Sequence, residues 1–331
     1  MKSISIVTPC YNEEGNVQEV YERVRALMAD LRRYRYEHIF IDNASQDGTF
    51  NVLMTIAAVD PNVKVIRNAR NFGHVRSPMH ALLQARGDAV IVLMSDLQDP
   101  PEVLKQLIEQ WEQGVPIVIA VKDSSREGFL MFRVRKLFYR IINRLADGIE
   151  TYENFTGFGL YDRKVIDLVR QFNDPYPYFR GMIAEIGLPH SEVGYEQQHR
   201  KRGKSKNNFY TLYDLAMLGI TRLSKVPLRL VTFLGFAGSL LSLMVGFVYF
   251  LYKLLFWKQF SLGIAPLVVG FFFFGSLQFL FMGIIGEYIG NIQTQVYNRP
   301  LVVERERVNF EYQPGEPLDL QAGSHVPIGS Q

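Results

Sequence analysis

Residues 3–121 switch repeatedly between short apolar runs and longer stretches of helical period. The runs predict strands at Ser3–Thr8, Tyr36–Asp42, Val63–Arg67, Ala89–Met94 and Ile117–Val121. β-Branched residues gather there, as at Ile4, Ile6 and Val7. Between them lie predicted helices at Asn16–Leu31, Thr49–Ala58, Met79–Ala85 and Glu102–Gln113. In the first, Val17, Val20, Val24, Leu27 and Met28 keep to one face. Strands alternating with helices of this length imply βαβ units and a largely parallel sheet.

The pattern then changes. Val231–Tyr252 carries no charge over 22 positions and Leu262–Gly286 none over 25. Each exceeds the about 20 residues that a membrane-spanning helix needs. The connector is short, so the pair predicts a hairpin. Arg222, Lys225 and Arg229 precede it and Arg299, Arg305 and Arg307 follow, whereas the connector offers Lys253 and Lys258. By the positive-inside rule the large domain and both termini face the cytoplasm, which makes a multi-pass protein of the plasma membrane. Such a hairpin is also compatible with a homo-oligomer.

Two basic stretches gain meaning beside a membrane. Phe129–Leu145 has helical period, with Arg133, Arg135, Lys136, Arg140 and Arg144 among apolar residues, as in a helix lying on a bilayer surface. His199–Lys206 is strongly basic and contains Gly203. It reads as a mobile loop that either binds anionic lipid or closes over a diphosphate through Arg202 and Lys206. Phe209–Leu223 is amphipathic and predicts an interfacial helix. The sequence after Phe310 has no period and reads as disordered.

Charge and cysteine content narrow the class. A net charge of +3 over 331 residues does not point to nucleic acid. Cys10 is the one cysteine, so an internal disulfide is excluded and a reducing compartment is expected. The opening MKSISIVTPCYNEE turns polar too soon for a secretory signal.

The candidate chemistry sits where the strand at Ala89–Met94 ends, in SDLQDPP. Ligands of open α/β sheets bind at the carboxyl ends of strands. Asp96 is a hard oxygen donor suited to a divalent cation, Mg²⁺ or Mn²⁺, on a phosphate. Asp99, just before Pro100 and Pro101, reads as a helix cap.

In this order, SIVTPCYNEE, IFIDNASQDGT, NARNFGH, SDLQDPPE, RGMIAEIG and KRGKSKNNF, ahead of a hairpin, resemble the family 2 glycosyltransferases that load sugars onto polyprenyl phosphate. That group includes dolichol-phosphate mannose synthase-like enzymes and bactoprenol glucosyltransferases. The resemblance runs from about Ser3 to Pro300. It implies a GT-A fold over residues 1–198, a basic loop and interfacial helix over 199–229, two membrane helices over 230–290 and a cytoplasmic tail over 291–331. It implies a nucleotide-sugar donor, UDP-glucose by default, a polyprenyl phosphate acceptor and inverting, metal-dependent transfer. By motif, Pro9, Tyr11 and Glu13 line the nucleotide pocket, Asp42 and Asn43 stand at base and ribose, and Asp96 holds the metal. Arg126, Arg140 and Arg144 correspond to acceptor-phosphate arginines.

This chain departs from the pattern in three places. Met94-Ser95-Asp96 stands where the family has two aspartates, Gly157 where relatives often carry an aspartate, and Asn43 where they carry Asp. The loss of a base matters little to a phosphomonoester nucleophile, whose second pKa is about 6. Glu185 is a nearby carboxylate, with orienting the sugar or acceptor and a structural ion pair both open. Two other classes stay open as well. A processive polysaccharide synthase would need a Q-x-x-R-W motif, and neither Trp111 nor Trp257 sits in one. A decayed transferase fold is suggested by Met94 and Gly157.

Overall fold

The computed structural model describes residues 1–124, 152, 155–198, 217–218, 226–256, 264–297 and 299–310. Eight strands are defined among them: β1 (Ser3–Cys10), β2 (Arg35–Asp42), β3 (Val63–Asn68), β4 (Ala89–Val92), β5 (Ile117–Ser124), β6 (Phe155–Asp162), β7 (His190–Glu196) and β8 (Glu304–Val308). They form one sheet in the order β7-β5-β6-β4-β1-β2-β3-β8. β1 pairs in parallel with β2 and β4, β2 with β3, and β5 with β7. β6 and β8 run antiparallel to their neighbours. The sheet is thus mostly parallel, as the alternation of elements predicts.

Strand residues alternate between two cores because successive side chains point to opposite faces. Ile4, Ile6, Phe40, Val65, Ile91 and Leu93 pack with α1 (Glu14–Asp30), α2 (Thr49–Val59) and α4 (Val103–Glu112). Val7, Ile39, Ile41, Ile66, Val90 and Val92 pack with α3 (Gly73–Gln84), α5 (Arg163–Phe172) and α6 (Phe179–Ile186). All four residues of β4 are buried, which explains its uniformly apolar sequence.

Three differences from the sequence expectation have identifiable physical causes. α3 starts at Gly73, well before Met79, and keeps Pro78 inside it. Burial of Ser77, Met79, Ala81 and Leu82 holds that turn despite the missing N–H. Asp99 does not cap α4: the N-cap is Glu102, which makes no side-chain cap hydrogen bond. The segment after the hairpin is no simple tail, because β8 pairs with β3 and closes the sheet edge.

Close approach of backbone leaves no room for a side chain at Gly87 or at Gly159. A Cβ at Gly159 would lie 2.6 Å from the Val118 carbonyl oxygen of the neighbouring strand. Gly159→Ala is expected to cost about 1–3 kcal/mol through this overpacking, read as a lower thermal midpoint. An unchanged midpoint would show that the strands part without penalty.

Two helices are described by themselves: α7 (Val226–Leu255) and α8 (Ile264–Tyr297). Both are long and apolar enough to cross a membrane. Large apolar side chains on them are exposed, including Phe233, Phe236, Phe271 and Phe279.

Candidate active site

Four parallel strands end side by side. Cys10 is level with Asp42, and Asp42 with Arg67. The loops leaving β1 and β2 lock onto each other: the Asn12 N–H donates to Ser45 Oγ at 2.9 Å, the Gln46 N–H to Asn12 Oδ1 at 2.8 Å and the Glu13 N–H to Thr49 Oγ1 at 2.8 Å. The loop leaving β4 joins them when Ser95 Oγ donates to the Pro9 carbonyl at 2.9 Å. Asn12, Ala44 and Leu97 have φ of 56°, 59° and 58°. Non-glycine residues rarely adopt this left-handed backbone, and such strain gathers at functional sites. One such residue lies in each of these three loops.

Asp42 is fully buried. Its Oδ1 accepts from the Ser45 N–H at 3.1 Å, and Arg67 Nε lies 3.8 Å from Oδ2. Burial raises the Asp42 carboxyl above its ordinary value, against the pull of Ser45 and Arg67. Arg67 in turn lies over the Phe50 ring at 4.1 Å. Asn43 is tied into the fold: its Oδ1 accepts from Asn68 Nδ2 and the Phe72 N–H, and its Nδ2 donates to Asn71 Oδ1 and the Gly73 carbonyl. Its amide thus shapes the loop after β3. Pro9 and Tyr11 are half-buried, and Glu13 is buried with its Oε2 accepting from Asn16 Nδ2 at 2.5 Å.

Asp96 is half-buried. Its Oδ1 accepts the Gln98 N–H at 3.2 Å. Its other oxygen makes no hydrogen bond among the described residues. Asp99, three residues on, is buried and accepts the Tyr195 hydroxyl at 2.5 Å. Burial raises its carboxyl, opposed by Tyr195 and Lys122 and assisted by Asp96. Asp99 therefore pins the β4 loop to β7, and the Gln198 N–H donates to the Gln98 carbonyl beside it at 2.9 Å. Met94 packs into the core beneath α3, α5 and α6.

Among the described residues no three His, Cys, Asp or Glu side chains converge on a metal position. The donor set is one carboxylate with a free oxygen. It fits a hard dication that keeps its waters and takes phosphate oxygens, and does not fit an all-protein cage.

Gly157 has φ of 100° and a carbonyl that accepts the Tyr161 hydroxyl at 2.9 Å. A side chain there would strain the backbone, which accounts for the glycine. Glu185 is exposed on α6. Arg126, Arg140, Arg144, Arg202 and Lys206 lie outside the described residues, as does the helix expected at Phe129–Leu145; of the one expected at Phe209–Leu223, only Met217 and Leu218 are described. Sequence reasoning missed Ser95 and Tyr195. An isolated serine or tyrosine carries no signal until the fold gives it a partner.

A model of glycosyl transferase family 2 matches residues 5–169. The chain is 34% identical over 311 residues to glycosyltransferase YkcC of Bacillus subtilis (strain 168), covering 93% of this chain and 94% of that one. This chain belongs to glycosyl transferase family 2. It is also 34% identical over 298 residues to the SfII prophage-derived bactoprenol glucosyl transferase of Shigella flexneri, covering 90% of this chain and 96% of that one. The protein is a glycosyltransferase, with the mostly parallel GT-A-like sheet that the family implies. Among solved structures it matches glucosyl-3-phosphoglycerate synthase from Mycobacterium tuberculosis, in complex with Mn²⁺, UDP-glucose and phosphoglyceric acid, at 18% identity and a TM-score of 0.48, over 67% of this chain and 78% of that one.

Proposed function

We propose that this family 2 transferase moves a sugar from a nucleotide-sugar, UDP-glucose by preference, to a polyprenyl phosphate at the cytoplasmic face of a membrane. The supporting observation is the span of the likeness to the bactoprenol glucosyl transferase. An alignment of 298 residues within a chain of 331 must include both apolar helices wherever it starts. The shared unit is therefore the sheet together with its hydrophobic pair. Long helices with exposed Phe and Leu faces suit a protein whose acceptor is dissolved in lipid.

The nucleotide lies along the strand ends. Asp42 and Arg67 set the polar wall there, and Asn43 holds the neighbouring loop in shape. Asp96 faces the diphosphate through its unpaired oxygen and holds the divalent cation. When bound, that cation offsets the charge on the leaving diphosphate. The acceptor phosphate is already mostly ionised at neutral pH, so the chain has to align it rather than deprotonate it. Arg126, Arg140 and Arg144 guide it, and Arg202 and Lys206 cover the diphosphate. Glu185 orients the sugar or acceptor. A single in-line displacement inverts the anomeric configuration. Both termini stay on the donor side of the membrane, by the arginine asymmetry about the hairpin.

The test is a transfer assay with full-length protein in phosphatidylcholine nanodiscs containing undecaprenyl phosphate. Labelled UDP-glucose, UDP-GlcNAc and GDP-mannose are offered separately, with and without chelator. Lipid-linked label is expected from UDP-glucose, of inverted configuration and lost on chelation. Label that stays water-soluble with every donor would overturn the proposal.

A further inference from the structure

One cationic cluster plays no part in this transfer scheme. It lies where β3 gives way to α3. The Arg70 guanidinium sits 4.0 Å from the centroid of the Phe72 ring, and the Arg76 guanidinium 5.4 Å from the same centroid. Two cations thus share one aromatic ring. Burial lowers the Arg76 pKa, with repulsion from Arg70 and Arg299 adding to it and Tyr176 opposing; the hydrogen bond of Arg76 to the carbonyl of Pro300, the residue after Arg299, brings that third cation to the cluster. Arg76 Nη2 donates to the Pro300 carbonyl, while its Nε is buried without a hydrogen-bond partner. Among the described residues neither Arg70 nor Arg76 forms an ion pair with a carboxylate. Cations held together in this way repel one another, so the geometry favours an anion supplied from outside.

Chain connectivity says where that anion resides. Arg299 is two residues beyond Tyr297, the last residue of α8, and two residues reach at most about 7 Å. If α8 crosses the bilayer, as proposed above, Arg299 lies at headgroup level. We propose that Arg70, Arg76 and Arg299 form a binding site for the phosphate of a membrane lipid, with Phe72 as its apolar wall. Guanidinium suits this ligand because it binds phosphate bidentately and lies flat against an aromatic ring. The site rests on the reading of α8 as a span, but its test needs no sugar transfer.

The full-length protein is taken from phosphatidylcholine nanodiscs carrying either undecaprenyl phosphate or phosphatidylglycerol, and retained lipid is counted by native mass spectrometry. R70Q and R299Q are compared with R70K. Arg76 is left intact because it ties α3 to the distant Pro300 carbonyl, whereas the backbone bond of Arg70, to the Asn71 carbonyl at 3.1 Å, is to its own neighbour. Each glutamine variant is expected to retain about tenfold less phosphate lipid, the size of one lost charge-assisted hydrogen bond, and R70K to recover part of it. A loss confined to undecaprenyl phosphate supports the site and makes the acceptor its occupant. A loss confined to phosphatidylglycerol supports it and makes bulk anionic lipid the occupant. Equal retention of both lipids by wild type, R70Q and R299Q overturns it. Should the transfer assay fail while R70Q still loses lipid, the donor assignment falls and this site stands.

Discussion

Asp96→Ala is expected to lower sugar transfer by at least about 100-fold, the usual loss when a group that stabilises developing charge is removed. Asp96 is the half-buried carboxylate at the β4 strand end, and among the described residues one of its oxygens makes no hydrogen bond. Its neighbour Asp99 is buried and engaged by the Tyr195 hydroxyl at 2.5 Å, so it is poorly placed to replace it. The fold should survive the change. Asp96 is half-buried, and its one described hydrogen bond is to the Gln98 N–H, worth about 1 kcal/mol. Asp96→Asn isolates the charge, because an amide oxygen can still accept that bond. Both variants should insert normally and unfold within a few degrees of wild type, yet fail in the nanodisc assay. Transfer by Asp96→Asn at a tenth of the wild-type rate or better would remove Asp96 from the diphosphate site.

Deleting residues 299–331 is expected to destabilise the sheet domain by several kcal/mol, against a total of about 5–15 for a typical domain. β8 covers the β3 edge, with Val65 opposite Val308 and Ile66 opposite Arg307. Beyond the ladder, the Ala69 N–H donates to the Val303 carbonyl, and Asn309 Nδ2 donates to the carbonyls of Ala57 and Val63 at 2.8 and 2.9 Å. Glu304 Oε1 meets His80 Nε2 at 2.5 Å and Arg307 Nη2 at 2.7 Å. Each such bond is worth about 1 kcal/mol net, and an abandoned buried partner costs more. The bared edge would also invite pairing between copies. Thermal unfolding and size exclusion in detergent check this; a truncated protein as stable and as disperse as the whole would refute it.

The same latch should weaken in acid. Burial pushes the Glu304 carboxyl up, but hydrogen bonds from Arg307 and His80 outweigh it and bring the value down to about 2. A folded value below the unfolded one of about 4.3 means that Glu304 stabilises the fold above that unfolded value. This contribution fades as pH falls toward 2. Glu304→Gln should flatten the midpoint-against-pH curve in that window.

How far a residue's role was legible depended on whether its signal was local. The strands up to β5 were readable because each alternates or runs apolar against its neighbours. Asp96 was readable because a carboxylate just past an apolar strand is conspicuous in one dimension. β8 was not, since ERERV has no buried face of its own and becomes a strand only by pairing with β3. Asp99 was misassigned as a cap for a related reason. Two prolines follow it, and the partner that claims it, Tyr195, lies 96 positions away.

By itself the sequence determined the βα alternation, the apolar pair of helices and the acidic strand end. These follow from periodicity, run length and residue chemistry, which act between neighbours along the chain. Only the tertiary structure decided that Asp99 holds β7 while Asp96 keeps an open oxygen, that Asn43 shapes a loop, and that the last described residues complete the sheet. Each of these turns on which distant group satisfies a buried donor or acceptor. Burial makes an unpaired polar group costly, and only folding brings the partner that removes the cost.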